Sequence, residues 1–417
     1  MIAAIVSWSI RNRLLVALGA VALTLAGVRA YTTLPIDAVP DITNVQVQVL
    51  TNAPGLSPLE VESLVTRPVE LAMTGLPGAE TIRSVSRSGV SAVTVVFRDD
   101  EDLTTARSLV AQRLPAAREA IPSSAQRPDL GPLTTGLGEI YHFTLNWPGH
   151  SARDLRTLLD WDVARELRAV PGVVEVNAWG GAARQIEVRI REPDLRALGV
   201  SLQQVEAALL GSGESVGGGA LSHGDEQVLV RLDGQYRTVA SVADQVVATR
   251  PGGVPVYVRD VASVIDGEAF RASAATADGQ GETVYAMVQM IAGGNAHELM
   301  GRVRARLDEV RKRLPAGVQI EPFYDRSALV DRVLGTVRHS LIEGGAIVIA
   351  VLFVFLGDLG AGIAVATAIP LAMLGAFVLM RNLGMSGNLM SLGAIDFGLV
   401  VDGAVVMVGG KLATQVV

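Results

Sequence analysis

The chain has 417 residues, with 35 basic and 42 acidic side chains, no cysteine and 49 % hydrophobic residues. That length suggests about three structural units, and the apolar share excludes a disordered tail. The lack of cysteine excludes a disulfide scaffold, and the net charge of −7 gives no electrostatic case for a nucleic-acid partner.

Apolar residues gather at both ends while charge crowds the middle. Leu14 to Val28 is an uninterrupted weakly polar run behind Arg11 and Arg13. Extended to residue 33 it makes a first transmembrane helix over 1–33, with Arg29 reaching outward and the flanking arginines holding the N-terminus in the cytoplasm. The competing reading is a cleaved signal peptide, because the run is short and Val28 to Ala30 resembles a small-residue cleavage site.

From Val45 the pattern is strand (to Leu50), helix (Ser57 to Met73), strand (Glu80 to Arg87), strand (Val90 to Arg98) and helix (Asp102 to Ala120). Ser57 can cap its helix with Glu60 three residues on, and Pro58 suits the first turn. This is a split βαβ unit spanning 34–133. A second unit opens with a strand from Glu139 to Leu145, a helix from Ala152 to Ala169 and a strand from Val173 to Ala178. Its other half follows much later, as the strand Thr283 to Ile291, the amphipathic helix Ala296 to Leu314 and the strand Val318 to Tyr324. The second unit therefore takes 134–180 and 273–330, with 181–272 inserted around a helix from Ser201 to Leu210. Gly75-Leu-Pro-Gly and Ala169-Val-Pro-Gly join helix to strand in each unit and support an internal repeat. Inside the insertion, Gly211 to Gly219 holds five glycines in nine residues and predicts a mobile hairpin or arm. A phosphate cradle is disfavoured because no G-x-x-x-x-G-K-[ST] is present and the run does not open a helix after a strand.

Leu359 to Met380 is 22 residues without a charge, about 33 Å of helix against a ~30 Å hydrocarbon core. Further spans are expected over 333–356, 359–381 and 389–409, with a kink at Pro370 and an atypical tail at 410–417. The fold class is thus an α+β membrane protein with four transmembrane helices and ferredoxin-like βαβ units outside the membrane.

Asp396 and Asp402 fall inside the fourth span. Each carboxylate at a helix centre costs about 3 kcal/mol of insertion free energy. Six residues apart, they lie about 120° around the helix from each other and are no chelating pair. A carboxyl so placed has a raised pKa and suits a proton relay. Outside the membrane, Glu139 and Tyr141 alternate onto one face of their strand and His142 onto the other. Glu139 is a candidate metal ligand, against the alternative of an ordinary surface carboxylate. The five histidines show no zinc spacing, and neither G-x-S-x-G nor a cysteine nucleophile is present, so no enzyme is indicated.

The segment Asp396-Phe-Gly-Leu-Val-Val-Asp402-Gly-Ala resembles the D-F-G-x-x-x-D-G-A fourth helix of the resistance-nodulation-division exporters, in their heavy-metal branch of cobalt-zinc-cadmium and copper-silver type. Leu34-Pro-Ile-Asp-Ala-Val-Pro-Asp and Thr135-Gly-Leu-Gly-Glu-Ile-Tyr141 are similar to the same family. The resemblance runs from residue 1 to Val408 and implies a proton-driven antiporter of the bacterial inner membrane with a large periplasmic portion. It implies a homotrimer acting with a periplasmic adaptor and an outer-membrane channel. Asp402 would be the principal proton carrier, Asp396 an accessory acid, and Glu139 part of the metal path. The two βαβ units would be porter subdomains, and the insertion a docking subdomain whose arm reaches a neighbouring subunit. No cofactor is expected beyond protons as coupling ion, and a borderline divalent metal such as zinc, cobalt or cadmium suits the substrate better than copper or silver. The family motif continues with Glu-Asn where this chain has Gly409-Gly410, and the family repeats the whole arrangement in a second half. The expectation is an N-terminal half, inactive alone; the alternative is a non-transporting, membrane-anchored periplasmic assembly or adaptor-binding module.

Overall fold

The computed structural model describes residues 8–9, 11–34, 41–213, 215–224, 226–271, 273–279, 281–356, 359–383 and 387. The expected fourth span, with Asp396 and Asp402, and the tail 410–417 lie outside the described residues.

In the first unit, β1 (Gln46–Asn52) alternates exposed and buried residues without interruption, as a sheet with one covered face requires. The following helix starts at Pro58 under a capping box, with the Ser57 amide donating to Glu60 Oε2 at 2.8 Å. It runs to Met73 through one π-helical turn at Glu62–Thr66. After β2 (Ala79–Arg87) and β3 (Val90–Phe97), Asp102 caps the helix Leu103–Ala120 by accepting from the Thr105 amide at 2.8 Å. β4 (Asp129–Leu130) completes a sheet in the order β2-β3-β1-β4. Val49, Val69, Met73, Val95, Phe97 and Val110 form its core against the two helices.

The second unit repeats this plan with the insertion between its halves. β5 (Glu139–Asn146) is followed by abutting helical segments Ala152–Leu158, Leu159–Val163 and Ala164–Arg168, the middle one π-wound, and by β6 (Val173–Trp179). A ribbon of β7 (Arg184–Ile190) and its return strand leads into the insertion. There lie the helices Glu192–Leu198 and Leu202–Ser212, the hairpin β8 (Val216–His223) and β9 (Glu226–Leu232), and the pair β10 (Val246–Thr249) and β11 (Pro255–Tyr257). β12 (Ala262–Glu268) closes the ribbon, and a small core of Leu195, Val205, Val256 and Val261 holds the insertion. The chain returns through β13 (Ala275–Thr276), β14 (Glu282–Met290), the helix Ala296–Arg311 and β15 (Gln319–Asp325). The sheet runs β13-β14-β5-β15, with β6 also on β14, so second, third, first and fourth strands are neighbours as in the first unit. Both Leu/Val-Pro-Gly joints end in a left-handed glycine, Gly78 (φ 74°) and Gly172 (φ 99°), a conformation other residues adopt at a cost.

The glycine-rich run corrects one expectation. Gly211 lies inside the helix Leu202–Ser212, while Gly217, Gly218 and Gly219 lie within β8. The hairpin turn falls later, beside Gly224 (φ 62°), and every described residue of β8 and β9 is exposed.

Among the described residues, one helix meets the length and hydropathy for crossing a membrane, Arg13–Thr33. The expected spans over 333–356 and 359–381 are helical, as Arg326–Leu356 and Leu359–Asn382, the latter continuing through Pro370. The first helix packs on the last of these: Ala30, Leu34, Phe377 and Met380 are buried together, and a Cβ at Gly27 would collide with Leu374.

Candidate functional site

The candidate site is the uncovered face of the second sheet. β14 sorts its residues by period two: Val284, Ala286, Val288 and Met290 enter the core, while Tyr285, Met287 and Gln289 stay half-exposed on the other face. Because β14 lies between β5 and β6, each outward residue has a register partner on either side. Gln289 pairs with Glu139 and Glu175, Met287 with His142 and Asn177, and Tyr285 with Thr144 and Trp179. With neighbouring strands about 4.8 Å apart, the backbones of Glu139 and Glu175 stand about 10 Å apart across Gln289.

Bulges shape this end of the sheet. The register shifts between Val288 and Gln289 against Tyr141 and Glu139, leaving Ile140 as the extra residue of β5. Further shifts fall at Met290 against β6 and at Tyr324 against β5. The first bulge overturns the expected alternation. Tyr141 enters the core at 3 % exposure, while Glu139 comes to the side of His142, with Oε2 3.4 Å from Nε2. One inserted residue reverses the phase of a period-two strand, so the expected pairing of Glu139 with Tyr141 is replaced by Glu139 with His142.

The electrostatics favour a ligand-ready imidazole. Burial pushes the His142 pKa below its ordinary 6.5, and this outweighs the opposing pull of the Glu139 carboxylate. A neutral imidazole is the form that binds metal. His142 Nε2 and Gln289 Oε1 are both buried without a geometrically formed hydrogen bond among the described residues, and the Glu139 carboxylate comes within 3.4 Å of His142 Nε2. Tyr285 is pushed above its usual pKa by burial and then by the Glu139 charge. Glu175 accepts from Asn177 Nδ2 at 3.1 Å, and Gln289 Nε2 lies 3.6 Å from Met287 Sδ.

Beside these groups, His142, Tyr285 and Phe323 border a cavity of about 650 Å³ closed partly by residues 274–278. The His142 ring centre lies 5.6 Å from that of Phe323 and 5.0 Å from that of Tyr324. Carboxylate, amide oxygen and imidazole suit a borderline divalent cation. Among the described residues no three His, Asp or Glu side chains converge tightly enough to hold one. A cation held on this face would have to take further ligands from beyond it.

Of the residues singled out from sequence, Glu139 belongs to this face, while Asp396 and Asp402 lie outside the described residues. Glu175, Met287 and Gln289 share this face and were not singled out from the sequence. Their signal was present as alternation in Glu175, Asn177, Trp179 and in Tyr285, Met287, Gln289, and it required knowing that β6 and β14 are neighbours.

A cation efflux system protein CzcA of Alcaligenes sp. (strain CT14) is 44 % identical over 413 residues, covering 97 % of this chain and 39 % of that protein. The cobalt-zinc-cadmium resistance protein CzcA of Cupriavidus metallidurans is 43 % identical over the same length and coverage. The crystal structure of a heavy metal efflux pump superposes with a TM-score of 0.87 at 35 % identity, covering 99 % of this chain and 41 % of that one. This chain thus spans about two-fifths of the length of the relatives it matches, and their names are those of efflux and metal-resistance proteins rather than enzymes. The resemblance to heavy-metal exporters read from the sequence agrees with these matches. The model of the AcrB/AcrD/AcrF family matches residues 5–410, and the chain belongs to that family.

Proposed function

We propose that the chain is the N-terminal part of a proton-driven exporter of heavy-metal cations in the bacterial inner membrane, with the second sheet's open face on the metal path. The observation that carries this reading is the row Glu139, Gln289 and Glu175, with Gln289 Oε1 buried and unpaired beside two carboxylates. An unpaired buried acceptor costs about 1–3 kcal/mol, and a passing cation would relieve that cost. Oxygen and nitrogen donors outnumber the lone thioether of Met287, which favours zinc, cobalt or cadmium over copper or silver.

The same reading places four membrane helices in this part, at 1–33, 333–356, 359–381 and 389–409, with the N-terminus cytoplasmic and the two sheets periplasmic. Asp402 carries the proton and Asp396 assists it. The working pump is a homotrimer engaging a periplasmic adaptor and an outer-membrane channel, and this part transports only together with the rest of such a pump. The test is metal export by a full-length protein carrying Asp402→Asn or Glu139→Gln. Asp402→Asn should abolish proton-coupled export with expression and trimer formation intact, and Glu139→Gln should weaken zinc binding. Unchanged export in Asp402→Asn removes that residue from the relay.

A further inference from the structure

The junction between the second sheet and the long helix contains no loop: β15 ends at Asp325 and the helix Arg326–Leu356 begins at the next residue. Asp325 caps this helix, accepting from the Ser327 amide at 3.0 Å and the Ala328 amide at 3.3 Å, and it is also held by Arg304. Its register partner is Tyr141, between Glu139 and His142 on β5.

Arg326 is 3 % exposed, and its Nη1 donates to the carbonyl of Leu137, two residues before Glu139. The Leu137 amide in turn donates to Thr135 Oγ1 at 3.3 Å, and that hydroxyl donates to Asp41 Oδ2 at 2.7 Å. Asp41 also accepts from the Thr43 amide at 3.0 Å. Burial alone would raise the Asp41 pKa, but the bonds from Thr43 and Thr135 and the Arg326 charge bring it below the ordinary value. One step further along, the Gly138 amide donates to Thr135 O at 2.9 Å and its carbonyl accepts from the Met290 amide at 2.7 Å. A Cβ on Gly138 would collide with the Thr134 hydroxyl.

We propose that Arg326 is a positioning residue: it fixes the 135–138 loop against Asp41 and so sets where β5 begins and where Glu139 stands. Its functional meaning rests on the metal-facing reading of Glu139. A buried guanidinium keeps its place only while its partners are satisfied, so displacement of the helix N-terminus is resisted by the loop and passed to it. A lysine carries the charge as a single point and lacks the planar fork, so Arg326→Lys should keep the attraction to Asp41 and lose part of the alignment.

The chain contains no cysteine, so paired labels can be introduced without a background. Spin labels at Gly136→Cys and Leu329→Cys, both at exposed positions, report the loop against the helix; a pair at Asp308→Cys on the helix Ala296–Arg311 and Gln319→Cys on β15 reports the packing of the second unit. In the purified full chain the first pair should give a narrow distance distribution. Arg326→Met should broaden it, Arg326→Lys and Thr135→Val should broaden it less, and the second pair should not change. If Arg326→Met fails to fold, Lys and Val carry the same test. An unchanged first pair in all three variants overturns the proposal, as does broadening of the second pair, which would make Arg326 a determinant of the whole fold. Titration with zinc ion alone separates this from the metal reading. Arg326→Met should weaken zinc affinity about tenfold, as loss of a supporting residue does. If Glu139→Gln leaves zinc affinity unchanged, the metal reading falls while the label distances still decide the role of Arg326.

Discussion

The two βαβ units share a strand order and a helix-capping device, yet only one presents a candidate site. In the first sheet, β1 pairs with β3 over seven residues without a shift, and the alternation of β1 is unbroken. In the second, the pairings of β14 with β5, of β14 with β6 and of β15 with β5 all shift register. Those bulges bring a carboxylate beside an imidazole. The first sheet also shifts, between Ala79 and Thr81 against β3, but that unit contains no histidine to be brought beside a carboxylate.

The comparison can be broken most sharply at the cores. Phe97 and Phe143 are 1 % and 0 % exposed in the first and second units respectively. Each change to alanine should cost about 3–5 kcal/mol. The four tryptophans, Trp8, Trp147, Trp161 and Trp179, all lie outside the first unit. Tryptophan fluorescence should thus report an early transition in Phe143→Ala, and a normal one in Phe97→Ala if the units unfold separately. A shared transition in both variants would make the repeat one cooperative body.

Metal binding sharpens the contrast further. Glu139→Gln and Glu175→Gln should each weaken zinc affinity by roughly tenfold or more, whereas Gln46→Ala on β1 should leave the titration curve unmoved. An effect of Gln46→Ala as large as that of Glu139→Gln would erase the distinction between the sheets. The pH dependence has a defined sign. His142 titrates below its ordinary 6.5 because burial disfavours the imidazolium. Proton competition from this side chain should therefore set in at lower pH than for an unperturbed histidine and grow as the pH falls. His142→Gln should flatten that acid-side loss, which calorimetry at several pH values would read.

The smallest expected effect tests what the units have in common. Ser57 and Ser151 head matching capping boxes. Each change to alanine should cost about 1 kcal/mol, measured by denaturant titration. Strongly unequal losses would show that the two helices depend differently on their caps.

Strands, helices and the repeat were legible because each rests on local periodicity: Val93, Val95 and Phe97 alternate, Ser57-Pro58 announces a helix start, and Pro-Gly joints recur. The extra residues at Ile140, Val174 and Phe323 were not legible, because a bulge is defined against the partner strand. For the same reason Glu139 could be singled out from its own strand, while its neighbour across the sheet, Glu175, could not. Glycine content suggested the arm but misplaced its turn: Gly217 to Gly219 lie within β8, where Gly219 takes a left-handed φ of 85° at the register shift against β9.

The hairpin of β8 and β9 carries a different consequence. Its described residues are all exposed, Leu221, Leu229 and Leu232 among them at 65 %, 81 % and 65 %. Fixing each backbone residue costs about 1–2 kcal/mol of conformational entropy, and here no buried side chain offsets it within the chain. In the isolated polypeptide the amides of this ribbon should exchange with deuterium almost as fast as those of an unfolded peptide, while both sheets remain protected.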